Sequence, residues 1–239
     1  MYLCSEIKKI YSMKFNTTPM FATPSGSFGG VVVSHNGSGY YWKVKTIPIN
    51  PTTIYQQSAR ALFIRFSQNW RTLSAARQNA WIVAAQANPV VDRIGNLITL
   101  SGINFYIRIN ANIVTAGGTA IDAPVLPLSV AAVTALTGTC VLGVLTATFS
   151  PTPVPASTAL FIWASGPQSL GVNYVKSKLR LLTVLAPAAA SPSVLTTFYT
   201  TRFGTIPAVA GSKIILEAQF VNQLTGAVGA RFRAVVLTS

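Results

Sequence analysis

Between Asn50 and Gln86 the apolar residues recur with a helical period. Ala59, Leu62, Phe63, Phe66 and Trp70 fall on one face of a 3.6-residue repeat. Asn50-Pro51-Thr52-Thr53 precedes them, and proline and threonine are helix-start residues. Leu73 and Ser74 interrupt the pattern, and Ser74 is placed to cap a second helix. Trp81, Ala84 and Ala85 continue the apolar face there. The spacing predicts a helical hairpin in which Phe63, Phe66, Trp70 and Trp81 pin two helices together.

On either side of this stretch the period changes. Val31-Val32-Val33 and Tyr40-Tyr41-Trp42-Lys43-Val44-Lys45 flank His35-Asn36-Gly37-Ser38-Gly39, which predicts a β-hairpin. Strand alternation puts Tyr40, Trp42 and Val44 on one face, with Tyr41, Lys43 and Lys45 on the other. Asn88-Pro89 stops the second helix. Asp92 to Thr99 reads as a short strand pair turning at Gly95-Asn96. Ser101-Gly102 reads as the cap of a third helix through Ile103, Tyr106, Ile107 and Ile113, with Asn104, Arg108 and Asn112 elsewhere on its surface. Gly117-Gly118 ends it.

From Leu128 the texture is Val, Thr, Leu and Ala runs separated by Pro, Gly and Ser. We place strands near 130–136, 140–149, 158–165, 171–185, 195–203, 213–221 and 228–238. That spacing is the signature of an immunoglobulin- or fibronectin-type sandwich. Gly143 inside a strand pattern marks a bulge or a close backbone approach. The expected fold class is α+β: an N-terminal β-hairpin plus three-helix region, then an all-β immunoglobulin-like sandwich. The expected divisions are an extended segment over 1–24, a hairpin and helical anchoring domain over 25–122, a linker over 123–127, and the sandwich over 128–239. Met13 offers an alternative start. Met1 to Ser12 has neither an apolar run nor a small-residue cleavage site after Lys8 and Lys9, so it does not read as a secretory signal.

Charge adds a constraint that periodicity does not. The 239 residues hold 18 Lys+Arg against 4 Asp+Glu, a formal charge of +14. The acids are Glu6, Asp92, Asp122 and Glu217, so Ile7 to Val91 is a field of one sign. Such a field favours an anionic partner. Charged residues make up only 9% of the chain, against about 25% in an ordinary soluble domain. A surface so poor in charge is expected to be covered by neighbours in an assembly. No run reaches the roughly 18 apolar residues of a spanning helix, so no membrane span is expected.

Catalytic chemistry lacks its parts. His35 is the one histidine and sits beside a turn. A serine nucleophile would have no other base. Four scattered acids do not suggest a carboxylate pair, and the His, Cys and carboxylate inventory is thin for a metal. Cys4 and Cys140 read as a tail thiol and a buried strand thiol. The glycines of Ser25 to Gly30 lack the Gly-Lys-Ser/Thr ending of a phosphate loop. We expect no enzyme, no metal and no cofactor. Lys43, Lys45, Arg60, Arg65, Arg71 and Arg77 are the candidate partner-binding basic surface, with Tyr40, Tyr41 and Trp42 as interleaved aromatics.

Four pieces in order carry a resemblance: Gly26-Ser27-Phe28-Gly29-Gly30; Tyr40 to Lys45; Asn50-Pro51-x-Thr53-x-x-Gln56-Gln57-x-x-Arg60-x-x-Phe63 running on to Trp70 and Trp81; and Leu100-Ser101-Gly102-x-Asn104-Phe105-Tyr106. Together they resemble a group of proteins encoded in bacteriophage genomes and prophages and regarded as virion structural proteins. The match covers roughly residues 24–120. It implies a multi-copy subunit located in the virion, with other virion proteins as partners and no catalytic residues. The expectation is a minor capsid, decoration or tail/neck component. The alternatives are a basic nucleic-acid-binding protein using Lys43 to Arg77, and a receptor- or glycan-binding module using Trp163 or Tyr174 of the sandwich.

Overall fold

The computed structural model describes residues 13–15, 26–36, 39–47, 50, 52–91, 95–126, 129–206 and 211–238. By its internal contacts the chain divides into two units, Met1–Ile54 and Tyr55–Ser239. Of the expected anchoring domain over 25–122, residues 25–54 belong to the first unit and 55–122 to the second, together with 128–239.

The first unit holds four antiparallel strands, β1 (Met13–Phe15), β2 (Gly26–Phe28), β3 (Val31–Asn36) and β4 (Gly39–Val44). They are ordered β1-β4-β3-β2. The predicted hairpin is β3–β4, registered Val33 to Trp42 and His35 to Tyr40. Two further short strands extend the hairpin to a four-stranded sheet. Of the extended segment expected over 1–24, Met13–Phe15 is described and forms β1. Cys4, Glu6 and Asp92 lie outside the described residues.

The second unit opens with the predicted helical hairpin, α1 (Ile54–Thr72) and α2 (Ala75–Ala87). Ser74 caps α2, its hydroxyl accepting from the Arg77 N–H. The short pair β5 (Val90–Val91) and β6 (Leu97–Ile98) follows. Then comes α3 (Gly102–Thr115), capped by Ser101. At its far end the Gly117 N–H bonds the Val114 carbonyl and the Gly118 N–H the Ile113 carbonyl. That pair of bonds is the Schellman ending.

The three helices close on Tyr106. Its ring lies 5.2 Å from Trp81, 5.6 Å from Trp70 and 6.0 Å from Phe66, centroid to centroid. Phe66, Trp70 and Trp81 all lie against Tyr106 of α3. Phe63, expected with them, is instead 56% exposed. Leu62, Phe66 and Leu73 take the inward stripe, and Phe63 sits about 60° around the helix from Phe66. The 19 residues of α1 also outrun the 13 of α2. Its N-terminal turns, Ile54 to Ala61, are exposed throughout.

The rest of the unit holds β7 (Ala135–Val141), β8 (Val144–Ser150), β9 (Thr158–Ala164), β10 (Gln168–Ser169), β11 (Arg180–Leu185) and β12 (Ser193–Val194). It continues with α4 (Thr196–Phe203), β13 (Ser212–Asn222) and β14 (Phe232–Leu237). One antiparallel sheet is ordered β12-β8-β7. The other is β10-β13-β9-β11, with β14 also on β13. Leu136, Leu145, Ala147 and Phe149 of the first share one core with Leu160, Ile162, Leu216 and Phe220 of the second. The chain is thus mixed α+β, with helices and several antiparallel sheets.

Two strand expectations are corrected. Residues 140–149 are not one strand, because Leu142 (φ +48°) and Gly143 (φ +77°) form a tight turn between paired Val141 and Val144. Two successive positive φ values make a primed hairpin turn. Residues 195–203 are mostly helix. Their Thr, Phe and Tyr content favours a strand, but Leu195, Tyr199 and Phe203 recur every four residues and pack on the shared core. Burying that stripe outweighs local propensity. Tyr199 is fully buried, and its hydroxyl donates to the Ser165 carbonyl at 3.1 Å.

The helices and the sheets meet at the C-terminal end of α3. The Asn112 amide donates to the Gly226 carbonyl at 3.2 Å, and the Gln223 amide donates to the Ala116 carbonyl. A Cβ on Gly226 would stand 2.7 Å from the Ile109 carbonyl oxygen, and its φ is +66°. Only glycine suits both demands. This junction sets α3 against the outer face of β9 and β13, with Ala116, Ala159, Phe161 and Val221 in contact.

Candidate functional site

The six basic residues singled out from the sequence are divided between the two units. Lys43 and Lys45 belong to the first unit, and the four arginines to the second. Arg60 and Arg71 lie eleven residues apart on exposed α1, which returns them to nearly the same side of the helix. The Arg65 guanidinium lies 5.4 Å from the centre of the Phe66 ring. Arg77 is bonded to Asp122 at 2.8 Å, so part of its fork is used inside the protein. Asp122 is held in turn by its carbonyl, which accepts from the Trp81 indole at 2.8 Å. Tyr106 beside it is buried, and that burial raises its pKa above the usual tyrosine value.

Apolar side chains share the exposed part of α1 with Arg60. Ile54, Tyr55, Phe63 and Ile64 are all exposed there, as are Ile82 and Val83 on α2. The Arg202 guanidinium stacks 3.2 Å over the Tyr55 ring. Tyr174, weighed as a glycan contact or a strand residue, lies between β10 and β11 and is exposed.

A second constellation lies on the outer face of the larger sheet. Strand alternation sends Ile214, Leu216, Ala218 and Phe220 into the core and Glu217, Gln219 and Val221 outward. Register then puts Glu217 opposite Trp163 on β9 and opposite Arg233 on β14. Arg233 reaches Glu217 Oε1 through Nε at 3.0 Å and Nη2 at 2.7 Å. Arg231 approaches Oε2 at 3.4 Å and lays its guanidinium 4.4 Å over the Trp163 ring. The helix α3 forms the opposite wall. Arg108, Asn112, Phe161, Trp163, Gln219, Val221, Val228 and Arg231 enclose a cavity of about 350 Å³. A smaller one of about 150 Å³ adjoins it through shared Arg108, Asn112 and Val228.

The ion pairs are unequal in burial. The Glu217 side chain is 8% exposed, while those of Arg231 and Arg233 are 47% and 46% exposed. Replacing both arginines with alanine strands a buried carboxylate and should cost about 2–4 kcal/mol in urea unfolding. Glu217→Gln leaves two guanidiniums that can turn to water and should cost about 1 kcal/mol or less. Equal losses would show that the carboxylate is not the strained partner.

Sequence reading missed Arg108, Asn112, Gln219 and Arg231 as neighbours. The alternation of Glu217 and Gln219 with Leu216, Ala218 and Phe220 was the available signal. It gives a face but not the helix that covers it.

Among the described residues no group of three or more His, Cys, Asp or Glu is placed to hold a metal ion. No helix there is long and apolar enough to cross a membrane. Cys140 is a buried thiol whose pKa burial raises.

No protein-family model matches the chain, and no curated protein matches it. Among solved structures it is similar to a family 76 glycoside hydrolase from a bovine Bacteroides thetaiotaomicron strain, at 12% identity and a TM-score of 0.32. That likeness covers 46% of this chain and 20% of the hydrolase, so the match spans about a fifth of the hydrolase's length. It is also similar to a Fn3-like protein from Clostridium thermocellum, at 12% identity and a TM-score of 0.29, over 46% of this chain and 93% of that one. At these scores neither likeness bears on what the chain does.

Proposed function

We propose that the chain is a non-enzymatic structural subunit of a bacteriophage particle, docked by protein–protein contacts through its helical region. The observation that carries this is the exposed part of α1, where Ile54, Tyr55, Phe63 and Ile64 share the surface with Arg60. Exposed apolar side chains rimmed by cations are the composition of a contact surface. The charge-poor sequence and the four-piece resemblance to virion structural proteins support the same reading. An acidic face on another virion protein would complement the arginines.

The strand orders support a fibronectin-type-III-like sandwich for the C-terminal part. Three strands run β7-β8-β12, and four run β11-β9-β13-β14. Such a module would add bulk to the particle or face solvent. The nucleic-acid reading is less favoured, because part of the Arg77 fork is used on Asp122 and the six basic residues are divided between two units.

The test is Phe63→Glu combined with Ile64→Glu. Both positions are exposed, so the melting temperature should hardly change. Incorporation into particles, read by quantitative mass spectrometry, should drop about tenfold or more. Unchanged incorporation of the folded variant would remove the docking role from α1.

A further inference from the structure

We infer that the groove between α3 and the outer face of β9 and β13 binds an acidic sugar, a polyhydroxylated ring carrying a carboxylate. This goes beyond the assembly reading and stands apart from it.

The recognition chemistry is laid out on two walls. Arg108 makes no hydrogen bond or ion pair among the described residues, so all its donors are available. Across the groove, Arg231 is held flat by the Trp163 ring at 4.4 Å, and only its Nη1 engages Glu217, at 3.4 Å. Arg233 already bonds the Glu217 carboxylate through two nitrogens. Arg231 therefore keeps most of its fork for a ligand. Both arginines are among the residues that line the groove, and no Asp or Glu is. A planar anion is the natural partner of such forks.

The remaining polar groups narrow the choice. Asn112 and Gln219 each donate one amide N–H, to the Gly226 and Gly229 carbonyls respectively. Their side-chain carbonyl oxygens have no donor among the described residues. They call for a ligand that supplies O–H groups. Inorganic phosphate would satisfy the arginines but offers those oxygens little. A neutral sugar would satisfy the oxygens but bring no anion to Arg108. A hydroxylated ring with a carboxylate does both. Phe161, Trp163, Val221 and Val228 add apolar lining for its C–H face. The cavity of about 350 Å³ falls at the small end of ligand sites, which suits a single ring.

The experiment is titration calorimetry on the full chain with glucuronate, galacturonate, glucose and inorganic phosphate. At least one uronate should bind saturably, with glucose and phosphate about tenfold weaker or undetectable. Arg108→Gln should weaken uronate binding about tenfold or more, as expected for loss of a charge-assisted bond. Its melting temperature should be unchanged, because Arg108 is exposed and makes no hydrogen bond or ion pair among the described residues. Arg231→Gln should weaken binding similarly. Glucose or phosphate binding as tightly as the uronates would overturn the assignment. So would uronate binding indifferent to Arg108→Gln, or no saturation by about 50 mM, where even very weak sites fill.

Discussion

Trp81→Ala should lower stability by about 3–5 kcal/mol, the range for deleting a large buried aromatic. Trp81 is fully buried. Its ring sits 6.0 Å from Phe105 and 5.2 Å from Tyr106, both of α3. Its indole N–H also closes the chain after α3 by donating to the Asp122 carbonyl. The substitution therefore opens a cavity and frees a carbonyl at once. Urea unfolding followed by helical circular dichroism measures the loss. A change below about 1 kcal/mol would mean that the helices are not held around this ring.

Asn110→Ala should cost about 2–4 kcal/mol, although it removes few atoms. Asn110 is fully buried on α3. It donates to the Ile121 carbonyl at 3.1 Å and accepts from the Ile121 N–H at 2.7 Å. The side chain thus meets one residue of the returning chain as a strand neighbour would. Removing it leaves both Ile121 groups without their partner, at about 1–3 kcal/mol each where water cannot replace it. Asn110→Asp should be at least as damaging. It keeps the acceptor but faces a carboxylate toward the Ile121 and Tyr106 carbonyls. Denaturation midpoints of the two variants decide this. A near-neutral Asn110→Asp would contradict the buried double bond to Ile121.

These two residues differ in how far the sequence announces them. Trp81 stands at core spacing after a serine cap, and both signals are local. The same is true of Ser101 and of the Gly117-Gly118 ending, so the three helices could be placed from sequence alone. Asn110 carries no such mark. Its role comes from a chain segment eleven residues later that folds back, and a polar residue in a helix reads by default as surface. The α4 segment failed for a related reason. Thr-Thr-Phe-Tyr-Thr-Thr looks like a strand until the core it covers is known. The Leu142-Gly143 turn was hidden by apolar neighbours on both sides. Phe63 fitted the period, but a period cannot show where a partner helix stops.

The groove residues follow the same rule. The outward face of β13 was readable from the alternation of Glu217 and Gln219. The approach of Arg108 and Asn112 depends on the junction at Gly226, which joins residues more than a hundred positions apart. The basic surface was read from composition. Composition could not show that Arg77 is spent on Asp122, or that Lys43 and Lys45 belong to a different unit.

We propose that this chain is a built-in part of a particle. Quantitative mass spectrometry of purified virions from a phage or induced prophage that encodes it tests that most directly. The chain should be found as a component in fixed ratio to the other virion proteins, retained through gradient purification and high salt. Its absence from washed particles, with the chain abundant in the infected cell, would contradict it.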